Sequence, residues 1–171
     1  MYEHACCFTG HRFIDPAVAP VLTTKLKEAI SSLAQEGYTD FLAGGALGFD
    51  TLAALSLLAL RKDYPQLRLT IVVPCEGQTR GWSPEQVEIY QFILSQADAI
   101  VYTAKTYFRG CMQKRNRYLV EHSAACICYL TKPTGGTAYT VQYAKGRGLS
   151  LLNLACPSVD IFDKNTNKII L

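Results

Sequence analysis

A chain of 171 residues, 49% apolar and 18% charged, can bury a real core, which excludes a disordered polymer and suits one ordinary domain. A net charge of +3 is too small to demand nucleic acid, and no apolar run reaches the ~18 residues that a membrane span needs. The start, Met1-Tyr-Glu-His-Ala-Cys-Cys-Phe8, lacks the basic head and long apolar core of a secretory signal, so a cytoplasmic location is expected. Seven cysteines at irregular spacing form no C-x-x-C pair, and His4, His11 and His122 complete no zinc pattern, so no metal is expected. Cys6, Cys126 and Cys128 sit in strand-like runs as small buried hydrophobes. Cys75 and Cys111 lie near the site described below, where a reactive role is open.

Strand and helix signals alternate along the whole chain. His4–Phe8 reads as a short buried strand, and Thr9-Gly-His-Arg12 as the turn after it. Asp15-Pro16 predicts a helix start, with an apolar face at Leu22, Leu26, Ile30 and Leu33 and a stop at Gly37. Thr39–Ala43 is the second strand. Gly44, Gly45 and Gly48 then interrupt the chain before a helix running to about Asp63. Leu67–Val73 is the third strand, ended by Pro74 and followed by a polar loop to Trp82. Ser83-Pro-Glu-Gln86 is a capping box for a helix with Val87, Tyr90, Leu94 and Ala97 on one face. A strand at Ala99–Thr103, a helix at Cys111–Ser123, a strand at Ala124–Leu130, a helix after Thr134-Gly-Gly-Thr137 and a strand at Leu149–Leu154 complete the pattern. The tail from Pro157 is weakly patterned.

Six short strands separated by helices predict an α/β fold: a Rossmann-like, doubly wound, mostly parallel sheet with helices on both faces, as one domain over residues 1–171. Right-handed crossovers gather the turns after the strands at the carboxyl edge, where such sheets bind ligands. Both glycine turns enter helices, the geometry that suits phosphate, although such glycines can also serve only to tighten a turn. The candidate ligand-binding residues are therefore Gly10, His11, Arg12, Gly44, Gly45, Gly48, Asp50, Glu76, Gln78, Trp82, Arg115, Asn116, Thr134, Gly135, Gly136 and Thr137.

Their chemistry differs. Arg12 can fork onto phosphate oxygens, and His11 can donate a hydrogen bond. Asp50 can cap its helix, hold the glycine loop or accept a ribose hydroxyl. Trp82 can stack on a base or belong to the core, while Glu76 is the candidate catalytic acid or base. Between Asp98 and Glu121 there is no acid but five cations, Lys105, Arg109, Lys114, Arg115 and Arg117, interleaved with aromatics. Of these, Arg115 and Asn116 are expected to face inward. The spatial expectation is that Arg12, Gly45, Glu76, Asn116 and Gly136 line one cavity.

Five motifs occur in a fixed order: Phe8-Thr-Gly-His-Arg12, Gly44-Gly-Ala-Leu-Gly-Phe-Asp50, Pro74-Cys-Glu-Gly-Gln78 with Trp82, Arg115-Asn-Arg117 and Gly135-Gly-Thr-Ala-Tyr-Thr140. Together, over about residues 5–155, the chain resembles the YpsA-like branch of the SLOG superfamily, which also contains DprA (Smf) and the LOG phosphoribohydrolases. The resemblance implies a bacterial, cytoplasmic Rossmann-like protein that binds nucleotides in a glycine-lined pocket, with relatives linked to cell division. LOG enzymes carry a glutamate in Pro-Gly-Gly-x-Gly-Thr-x-x-Glu; here Thr140 stands in that place. Threonine cannot act as a carboxylate base.

Three functions follow, in order of expectation. The first is a sensor of a nucleotide derivative (ADP-ribose, NAD or AMP) that signals through a protein partner. The second is an N-glycosidic hydrolase using Glu76. The third is a single-stranded nucleic-acid binder using Lys105–Arg117, which ranks behind the small-molecule and protein partners. A homo-oligomer is compatible with all three.

Overall fold

The computed structural model describes residues 2–155. Its elements follow in chain order as β1 Ala5–Gly10, α1 Ala19–Gln35, β2 Asp40–Ala43, α2 Phe49–Leu60, β3 Arg68–Val73, α3 Pro84–Gln96, β4 Ala99–Tyr102, α4 Cys111–Glu121, β5 Ala125–Tyr129, α5 Gly136–Gly146 and β6 Ser150–Asn153. The six strands form one sheet in the order β4-β3-β2-β1-β5-β6, and every pairing is parallel.

Strand alternation divides the core into two layers. Cys6 and Phe8 of β1, Leu69, Ile71 and Val73 of β3, and Ala125 and Ile127 of β5 point to one face, under α1, α2 and α3. Ala5 and Cys7, Val72, and Cys126 and Cys128 point to the other, under α4 and α5. The first layer is the larger, with Phe8 stacked on Phe41 at 5.8 Å between ring centroids. Each such fully buried side chain contributes about 1.5–3 kcal/mol.

The chain steps outward from β1 to β4, then returns across the sheet to place β5 on the other side of β1. Crossovers keep one hand, so the reversed direction moves α4 and α5 to the opposite face. The crevice between β1 and β5 is thus the topological switch point, where open α/β sheets bind ligands.

Two expectations need correction. The first helix starts at Ala19 with Pro20 in its first turn, not at Asp15-Pro16. Asp15 instead closes a preceding turn, its carboxylate accepting the Ala17 N–H at 2.9 Å and its carbonyl the N–H groups of Val18 and Ala19. On α3 the buried position is Ile93, while Tyr90, Leu94 and Ala97 are half-buried beside it. The Ser83 capping box forms as the spacing requires. Pro157 and the tail, with Cys156, lie outside the described residues.

Candidate functional site

A cavity of about 270 Å³ opens at the carboxyl end of β1, between the amino ends of α2 and α5 and one face of α4. β1 and its turn supply Phe8, Thr9, Gly10, His11 and Arg12, and the start of α2 supplies Ala46 and Asp50. α4 contributes Met112, Arg115, Asn116 and Leu119, and α5 contributes Gly136 and Thr137. The α4 residues are spaced i, i+3, i+4 and i+7, one stripe of a helix.

One chain of polar contacts joins the two glycine turns across this stripe. The Arg115 guanidinium donates through Nη1 to the Gly44 carbonyl and through Nε to Asn116 Oδ1 at 2.7 Å. Asn116 Nδ2 donates to Thr140 Oγ1 at 2.9 Å, and that hydroxyl donates to the Gly136 carbonyl at 2.8 Å. Thr140, where LOG enzymes carry their glutamate, is therefore the link that ties Asn116 to α5.

The first glycine turn is held from within. Asp50 Oδ2 accepts the Ala46 N–H at 3.3 Å and lies 3.9 Å from Arg115 Nη1. Asp50 thus holds the loop; the α2 cap position is Gly48, and it makes no side-chain capping bond. The Phe49 N–H goes to the His11 carbonyl at 3.0 Å, so the amino end of α2 is closed by the β1 turn. Gln78 Nε2 donates to the carbonyls of Gly44 and Gly45, at 3.3 and 2.8 Å. Two glycines are demanded here by close approach: a side chain at Gly44 would collide with the Arg115 guanidinium, and one at Gly48, whose φ is +76°, with the Arg12 carbonyl. The second turn is different. Thr134, Gly135 and Gly136 are exposed, and a Cβ at Gly135 or Gly136 would meet nothing within 4 Å. The amino end of α5 is open to a ligand.

Burial dominates the electrostatics. It pushes the Asp50 carboxyl above its ordinary range, against the pull of Arg115, the Ala46 and Gly44 amides and Arg12. Burial likewise lowers Arg115, with Asp50 opposing and Arg12 reinforcing the shift. Two guanidinium groups thus face one carboxylate, which favours an anion in the remaining space. His11 is lowered by burial and then by Lys132, and its Nε2 accepts the Thr131 N–H at 3.0 Å. The ring proton is then on Nδ1.

The structure brings Gly10, His11, Arg12, Asp50, Arg115, Asn116, Gly136 and Thr137 together around the cavity. Gly44, Gly45 and Gly48 form the turn behind it, and Thr134 and Gly135 the exposed approach to α5. Glu76, Gln78 and Trp82 do not line it. Glu76 is exposed, its N–H bonded to the Lys105 carbonyl, and Trp82 packs edge-on against Tyr90 at 5.4 Å. Strands lie ~4.8 Å apart, so a loop after β3, two strands from β1, falls about 10 Å to the side of the switch point. Cys75 and Cys111 are buried against each other, and burial raises the Cys75 thiol, disfavouring a thiolate nucleophile. Of the basic stretch, Arg115 is buried in the site, while Arg117 turns outward to Tyr139 Oη at 2.7 Å.

Phe8, Thr9, Ala46, Met112 and Leu119 line the cavity without being among the candidate residues, and Thr140, singled out only for the acid it replaces, supplies the link to α5. Helical spacing from Arg115 and Asn116 points to Met112 and Leu119. Thr140 is one helical turn from Gly136, and Phe8, Thr9 and Ala46 lie inside the first two motifs beside the candidates Gly10 and Gly45.

An all-parallel sheet wound in both directions from β1, with helices on both faces, defines a Rossmann-like α/β protein. The chain belongs to the YspA SLOG family (YpsA), whose family model matches residues 9–150. It is 30% identical over 138 residues to the uncharacterized SPbeta prophage-derived protein YoqJ of Bacillus subtilis, covering 71% of this chain and 81% of YoqJ. Two solved structures share the fold. DprA of Streptococcus pneumoniae has a TM-score of 0.66 at 15% identity, covering 92% of this chain and 52% of DprA. DprA of Helicobacter pylori, studied for its single-stranded DNA binding mode, has a TM-score of 0.64 at 20% identity, covering 94% of this chain and 68% of that protein. Among the described residues no helix is long and apolar enough to cross a membrane.

Proposed function

We propose that the cavity binds the phosphate-bearing part of a nucleotide derivative, ADP-ribose, NAD or AMP, and that the protein is a sensor rather than an enzyme. The observation that carries this reading is the pairing of Arg12 and Arg115 with the open amino end of α5, against the single carboxylate of Asp50. Backbone amides and a helix dipole at that end favour an anion, and a guanidinium forks onto phosphate oxygens. The volume, just under the ~300 Å³ where drug-sized sites begin, suits one nucleotide better than a whole dinucleotide.

Hydrolysis has weaker support. The carboxylate that lines the cavity is committed to the glycine loop, Glu76 lies outside, and Thr140 brings no acid. A protein partner would read the ligand state, and the resemblance implies a link to bacterial cell division as the setting in which it would do so. Single-stranded DNA binding, the property studied in Helicobacter pylori DprA, is the third reading and ranks behind both.

A melting-temperature screen with AMP, ADP-ribose and NAD at millimolar concentration tests the proposal. A ligand at 100 times its Kd adds about 2.7 kcal/mol, a shift of several degrees for a domain of this size. No shift with any of the three removes the sensor reading. Release of free base during the same incubation would favour the hydrolase, and an unchanged rate in Glu76→Gln would remove Glu76 from it.

A further inference from the structure

We propose that the outer edge of the sheet is a homodimer interface, in which β4 pairs antiparallel with β4 of a second copy about a two-fold axis at Val101. β4 reads Ala99-Ile-Val-Tyr102, entirely apolar, yet Ala99, Ile100 and Tyr102 are exposed and Val101 is only half-buried. Natural sheets protect an open edge with lysine, proline, a bulge or a covering segment. This strand carries no charge and no proline. The nearest acid, Asp98, is already paired with Arg61. An edge left this way is built to be covered.

The neighbouring surface extends the patch. Register with β3 places Ile100 beside Ile71 and Tyr102 beside Val73, hence on the face that α3 covers. On α3, Leu94 packs into the core, whereas Ile89 and Phe92 lie on the other flank of the helix and stay exposed. Tyr107 and Phe108 follow at the carboxyl end of the strand. These six side chains are each between 42% and 73% exposed. At ~200 Å² for a fully exposed large side chain, they offer about 600 Å² per copy. Doubled by a two-fold axis, that reaches the low end of a specific interface, about 1,200 Å².

The occupant that fits is the same chain. The Thr103 N–H is bonded to the Val73 carbonyl of β3, and Pro74 has no N–H to give the Tyr102 carbonyl, so along β4 the backbone groups of Ile100 and Tyr102 face outward. A two-fold axis at Val101 lets Ile100 of each copy exchange N–H···O bonds with Tyr102 of the other, the two valines facing each other as the close, non-hydrogen-bonded pair. The strand is uncharged, so self-pairing opposes no like charges, and the result is one continuous twelve-stranded sheet. The cavity at the switch point lies three strands away and is left open on both copies.

Sedimentation velocity across a micromolar concentration series tests this on the full chain. The expected result is a species of twice the 18.9 kDa chain mass, lost in Ile100→Lys with an unchanged circular dichroism spectrum. Phe92→Glu leaves the strand intact and should also weaken the dimer at least tenfold, so the test survives if the strand variant does not fold. A wild-type monomer throughout, or a dimer unaffected by Phe92→Glu and by any folded Ile100→Lys, overturns the proposal. So does a monomer that binds single-stranded DNA through Tyr107 and Phe108, which would assign the patch to nucleic acid.

Discussion

Arg115 fixes the first glycine turn through the Gly44 carbonyl and orients Asn116 with the same planar group, which a lysine could not do. His11 shows the opposite kind of constraint. Its backbone carbonyl closes α2, while its ring is held neutral by burial, by Lys132 and by the Thr131 N–H. A histidine lowered on folding refuses a proton that the unfolded chain accepts. Stability from His11 is therefore complete above about pH 6.5 and is lost as pH falls through that value toward the lower folded pKa. An NMR titration should find His11 titrating below its ordinary range with the proton on Nδ1 at neutral pH. A midpoint above that range, or Nε2 protonation, would show that the ring is not held as described.

At the scale of elements, α4 is the strut of the site and α5 its open wall, and Thr140 joins them. Thr140→Val removes both hydrogen bonds of that hydroxyl and leaves the Asn116 amide without its partner, a cost of about 1–3 kcal/mol. Urea unfolding should show this loss shrinking in an Asn116→Ala background, since the two groups share one contact. Equal losses in both backgrounds would mean that the link contributes nothing. Much of this level is legible in the chain itself. Alternation in Cys6, Cys7 and Phe8 and the spacing of Leu22, Leu26, Ile30 and Leu33 identify their elements, because one face of each must be buried. The start of α1 is not legible, because Asp15 can cap a turn as well as a helix and only the fold chooses Pro20 as the first-turn proline. Arg115 and Asn116 can be picked out as polar residues on a helix entering the edge. Gln78 and Trp82 mislead, since a polar loop after the third strand looks like a ligand loop until the strand order sets it aside.

The whole molecule explains that ordering. Reversal of the winding at β1 places the end of β1, the amino ends of α2 and α5 and one face of α4 around one crevice, and it moves the β3 and β4 loops away from it. The same winding leaves β4 as an open edge, so ligand site and proposed dimer contact fall on separate parts of one sheet. Five motifs spread over more than 120 residues make sense as a group only through this convergence, although the Pro74–Trp82 motif supports the glycine turn rather than the cavity. Isothermal titration of AMP and ADP-ribose into the wild-type chain, Arg12→Ala and Glu76→Gln examines the central claim most directly. A nucleotide in the β1–β5 crevice requires saturable binding to the wild type, weakening of about tenfold or more in Arg12→Ala, equivalent to ~1.4 kcal/mol, and no change in Glu76→Gln. Absence of binding, or affinity that follows Glu76 and ignores Arg12, would contradict it.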